Sequence, residues 1–74
     1  MSQTRFAFLA VVIPEGYGLG VAEKDVRGYI PYPDGGVFQQ YEDAVGVAKQ
    51  LNEKLGHNPR EAFLIVASSM RQAG

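Results

Sequence analysis

Asn58-Pro59-Arg60-Glu61-Ala62-Phe63-Leu64-Ile65-Val66-Ala67 reads as a helix or as a buried strand, and the choice decides the fold. Residues 62 to 67 are apolar without a break and include the β-branched Ile65 and Val66, which suits a strand covered on both faces. The four residues before them suit a helix start. Asn is a preferred N-cap, Pro is favoured at the first helical position, and Glu three residues after the cap can return a hydrogen bond to the cap backbone. The capping signature outweighs the apolar run and predicts a helix from Pro59 to Met70 or Arg71. Apolar residues would then cover almost its whole circumference, so it belongs at the centre of the core or half-buried in a dimer interface.

Upstream, Tyr41, Ala44, Val45, Ala48, Leu51 and Leu55 recur at spacings of three and four, which stacks them along one stripe of a helix from Tyr41 to Leu55. Glu42 and Asp43 occupy its first turn, Lys54 its last, and Gly56 follows, all as the macrodipole and a left-handed stop favour. Gly46 interrupts this helix at a cost of about 1 kcal/mol against Ala, which suggests close packing there.

Further back the period changes. Phe6 to Ile13 is a continuous apolar run ended by Pro14-Glu15-Gly16, too short for an independent helix and rich in aromatic and β-branched residues. It predicts a strand from Arg5 to Ile13 covered on both faces. Gly16, Gly18 and Gly20 alternate, leaving one face of the chain without side chains, so a bulge, a bend or a close backbone approach is expected before a weak strand at Leu19 to Glu23. Gly28 to Pro33 is extended, but Pro31 and Pro33 cannot donate to a ladder, so this is an edge strand or a lead-in to one. Pro33-Asp34-Gly35-Gly36 is a turn, and Val37 to Gln39 suits one more short strand.

The resulting fold class is a single α+β domain. A β-meander of two to four short strands packs against a C-terminal two-helix hairpin, in the order β-β-β-α-α. At 74 residues, 46% hydrophobic and 20% charged, the chain has a globular composition. A domain this small buries only about 60% of the surface its unfolded chain exposes, so good packing or a homodimer must supply its stability. Seven basic and eight acidic residues leave a net charge of -1, no footprint for nucleic acid or an anionic membrane. No cysteine is present, which removes disulfides, thiol nucleophiles and Cys-based zinc sites. The Phe6 to Ile13 run falls far short of the roughly 20 residues of a membrane span and lacks a cleavage pattern. A soluble, cytoplasmic protein is expected.

No complete catalytic set is visible. Gly16, Gly18 and Gly20 are spaced unlike a dinucleotide fingerprint, and no helix opens after them. Glu23 and Asp25 could share a strand face, but Lys24 and Arg27 beside them make a charged turn the simpler reading. His57 sits in the interhelical linker as an exposed or capping residue, and Ser68 and Ser69 lack an activating context. Tyr17, Arg27, Tyr29 and Tyr32 are the candidate binding residues, because phenol rings and a guanidinium on a proline-stiffened segment make anchors of low entropy cost. The same tyrosines could instead cover the edge of a thin core.

Tyr41-Glu42-Asp43-Ala44, Ala48, Leu51-Asn52, Leu55-Gly56, Pro59-Arg60-Glu61-Ala62, Ile65-Val66 and Ser68-Ser69-Met70 resemble a pattern found in short uncharacterised bacterial and phage-type proteins. That resemblance covers the C-terminal half and implies no function. Pro33-Asp34 and Glu42 to Ala44 are also faintly similar to HicB-like antitoxins, though the glycine-threonine step before the helix is lacking and the second helix differs. No functional residue is carried over. The expected function is that of a small non-enzymatic protein-binding or regulatory module without cofactor or metal, a homodimer with a possible second protein partner. The alternative is an antitoxin-like or nucleic-acid-binding accessory, which would need Arg5, Lys24, Arg27, Lys49 and Arg60 on one face. A small enzyme built on Glu23, Asp25 and His57 comes third.

Overall fold

Pro14 and Glu15 turn the chain back on itself, and the strands on either side pair along their full length. The computed structural model describes residues 4–70. Strand β1 (Phe6–Ile13) lies antiparallel to β2 (Gly16–Glu23), from Phe6 opposite Glu23 to Ile13 opposite Gly16. Strand β3 (Tyr29–Pro31) adds to the other side of β2, giving a sheet of order β1-β2-β3. A 3-10 turn (Pro33–Gly35), helix α1 (Tyr41–Lys54) and helix α2 (Pro59–Met70) follow. The order β-β-β-α-α is therefore the one the sequence predicts, and residues 62 to 67 are helix. Arg71, the further end considered for that helix, lies outside the described residues.

The expected capping box is present: Glu61 N–H donates to Asn58 Oδ1 at 2.8 Å, and Asn58 N–H donates to Glu61 Oε1 at 3.0 Å. The expected stop of α1 is present too. Gly56 has φ +91, its N–H donates to the Glu53 carbonyl at 3.0 Å, and His57 N–H donates to the Asn52 carbonyl at 3.0 Å. These two bonds close a Schellman motif, which fixes the direction in which His57 leaves the helix.

Side chains alternate along β1, and the two helices divide them. Phe8 and Ala10 pack with Leu19, Ala44 and Ala48 on the α1 side. Ala7 packs with Ala62, Ile65 and Val66 on the α2 side. So α1 and α2 lie on opposite faces of the sheet, and the loop between them passes around the outer edge of β1. Coverage of both faces is therefore real in the middle of β1. It fails at the ends, where Phe6 and Val12 are exposed.

Four local expectations change. β2 is a regular strand from Gly16, longer than the predicted Leu19 to Glu23, because neighbours fill its bare face: a Cβ on Gly20 would meet Tyr29 Cδ1 at 2.6 Å, and one on Gly18 would meet Ile13 Cδ1 at 3.1 Å. Residues 37 to 39 form a single bridge, Phe38 to Tyr17, in place of a strand. Gly46 is not a close-packing site, since a Cβ there meets nothing within 4 Å. Helix α2 is also less central than its composition suggests: Ala62, Ile65 and Ser69 are buried, while Phe63 is 69% exposed. The buried core is built mainly from alanines, and larger apolar side chains such as Val12, Tyr41, Val45 and Leu64 remain on the surface.

Candidate interaction site at the β1 edge

An antiparallel edge residue points its backbone N–H and C=O either toward its partner strand or away from it, in alternation. Phe8 points away, because its N–H donates to Asn52 Oδ1 at 2.6 Å and its carbonyl accepts from Asn52 Nδ2 at 3.1 Å. The side-chain amide of Asn52 thus takes the place of a strand residue. Phe6 also points away, and its carbonyl lies 2.6 Å from His57 Nε2. A carbonyl only accepts, so His57 Nε2 is the donor in this contact. His57 is 4% exposed, and its enclosed Nδ1 has no hydrogen-bond partner among the described residues. The expectation of an exposed linker histidine is overturned: the Schellman turn aims the ring inward against β1.

By the same alternation Ala10 and Val12 point away from β2. Among the described residues no group bonds their amides or carbonyls. The next outward position is Pro14, which has no N–H. This open stretch of edge lies beside a groove of about 260 Å³ between the helices, whose walls include Tyr41, Val45 and Lys49 of α1 and Phe63 and Val66 of α2. Val12, 76% exposed, stands at the open end of the edge.

The residues singled out from the sequence do not form one site. Tyr32 stacks edge-on against Phe8 with ring centroids 5.0 Å apart and belongs to the α1-side core. Tyr17 belongs to the same cluster and meets Tyr41 edge-on at 5.6 Å. Tyr29 lies over Gly20 on the other face. Arg27 and Tyr29 do share a shallow hollow with Phe6, Val26 and Ile30 at the β2–β3 end. The groove at the other sheet edge is not legible in any sequence motif, because its determinants are backbone groups. Its one sequence signal is Asn52, a polar residue four positions after Ala48 on the apolar stripe.

The remaining candidates are dispersed. Glu23 pairs with Arg5 at 3.7 Å, and the Arg5 guanidinium also donates to the Lys24 carbonyl. Asp25 sits at φ +63 in the β2–β3 turn, where its N–H donates to Ser68 Oγ. Ser68 and Ser69 back-bond to the carbonyls of Ile65 and Val66. Strand β1 stands between His57, outside its edge, and Glu23, on β2, so these two do not face one another. Among the described residues no group of three His, Asp or Glu is arranged to hold a metal ion. No helix among them is long and apolar enough to cross a membrane. Comparison with protein families, with curated proteins and with solved structures yields no match.

Proposed function

We propose that the chain is a cytoplasmic, non-enzymatic protein-binding module, and that its contact surface is the groove where the edge of β1 is open. The observation that carries the reading is the pair of outward-facing residues, Ala10 and Val12, whose amides and carbonyls no group among the described residues bonds, beside apolar walls. An added strand would satisfy those groups, and Tyr41, Val45 and Phe63 would give it apolar contacts. The walls carry Lys49 and Glu53, one charge of each sign, so the groove selects neither a strongly acidic nor a strongly basic partner.

The test is a photo-reactive residue at position 45, used with and without Val12→Pro. The Val12 amide faces away from β2, so this proline removes an edge donor without removing a ladder bond. The reading expects protein adducts from position 45 that disappear with the proline while the far-UV circular dichroism is unchanged. Adducts that survive the proline, or that form only from a probe at position 30 on the opposite edge, contradict it.

A further inference from the structure

We infer that the strand received by this groove belongs to a second copy of the chain, paired β1 to β1 in antiparallel fashion about a two-fold axis at Val11. The inference rests on the reading of the groove as an interaction surface and names its occupant.

The open edge is self-complementary. Each copy offers two N–H donors and two carbonyl acceptors, from Ala10 and Val12. With the axis at Val11, Ala10 of one copy lies opposite Val12 of the other as a hydrogen-bonded pair, so all these groups are satisfied across the axis. The register allows no other choice of this quality. Moving the axis to position 10 would set Phe8 opposite Val12, but Asn52 already holds both backbone groups of Phe8. Moving it to position 12 would set Ala10 opposite Pro14, which has no N–H to give to the Ala10 carbonyl. The edge is thus blocked on one side by a side-chain amide and on the other by an imino acid, leaving the segment that an identical segment fits.

Packing points the same way. The surrounding surface is apolar and contributes little to the core of a single copy: Val12, Tyr41 and Val45 are exposed beside the edge. A two-fold axis there brings these residues together from both copies. The alanine-rich core of each copy buries few large side chains, and a domain of this size gains the missing apolar burial most directly by association. The joined sheets would run β3-β2-β1-β1-β2-β3, removing the one open edge.

Sedimentation from low micromolar to millimolar concentration, with the whole chain, tests the inference. The wild-type mass should rise from 8.1 kDa to twice that value. Val12→Pro and, independently, Val12→Lys should remain at the single-chain mass throughout, with unchanged circular dichroism. Register is read from cysteines in this cysteine-free chain. At the non-hydrogen-bonded position 11 the paired Cα atoms would lie about 4.5 Å apart, inside the span a disulfide accepts. Val11→Cys should form a disulfide-linked dimer on mild oxidation, whereas Val12→Cys, opposite Ala10, should not. A wild-type chain that stays at 8.1 kDa overturns the inference, and so does a dimer that survives both substitutions at position 12. If a monomeric chain still gives proline-sensitive adducts from position 45, the second copy is refuted while the groove keeps its role for another partner.

Discussion

The two edges of the sheet end differently. On β3 the strand is short and stiffened: Tyr32 N–H donates inward to the Leu19 carbonyl, so Pro31 is an outward position, and it has no N–H to offer. Proline on an outward edge position is a common way to prevent strand pairing. On β1 the protection is supplied from a distance, by His57 at Phe6 and Asn52 at Phe8, and it extends no further along the strand. A sheet that blunts one edge with covalent chemistry and covers the other only in part leaves one place for pairing. The contrast predicts that changes to the β1 cover have large effects on both stability and association, whereas changes on the helices away from the groove alter stability alone.

The strongest way to break the contrast is Asn52→Ala. It strips two bonds from Phe8 and leaves a donor and an acceptor unpaired beside the core, a loss of about 3 kcal/mol. Urea denaturation should show that loss, and the lengthened open edge should make the variant more prone to associate than wild type. Removing the second cover by His57→Ala should cost about 2 kcal/mol, from the lost bond to Phe6 and the cavity left by the ring. The same denaturation experiment reads it. Asn58→Ala opens the capping box that begins α2 just past the loop around the edge, and should lower stability by about 1 kcal/mol. Gly46→Ala is the control. Its added methyl meets nothing and the helix gains up to about 1 kcal/mol, so the midpoint should rise with no change in association.

Much of this arrangement was legible in the residues. The capping box at Asn58 and Glu61 and the Gly56 stop are local signals carried by residue chemistry within a few positions, so they are legible without any tertiary contact. The stripe of α1 was right for Ala44 and Ala48. It did not show that Tyr41 and Val45 stay on the surface, because exposure on an apolar stripe depends on how far the neighbouring strand extends. The glycines of β2 pointed to irregularity, but Tyr29 and Ile13 fill the space above them from neighbouring positions in the sheet, and sequence spacing does not reveal such partners. The open edge is the least legible feature. It consists of backbone groups that every residue possesses, and only the alternation set by Asn52 and Phe8 shows which of them face outward. The four residues favoured as a surface, Tyr17, Arg27, Tyr29 and Tyr32, were singled out by side-chain type and are divided between the core and a shallow hollow.

The most direct test of the account is residue-resolved amide hydrogen exchange along β1 at low and at high protein concentration. The expected result is protection of Phe8 at every concentration, because Asn52 holds its amide, with Ala10 and Val12 exchanging freely when dilute and becoming protected together when concentrated. Rapid exchange of Phe8 comparable to that of Ala10, or protection of Ala10 and Val12 that does not depend on concentration, would contradict an edge that is closed by Asn52 and open beyond it.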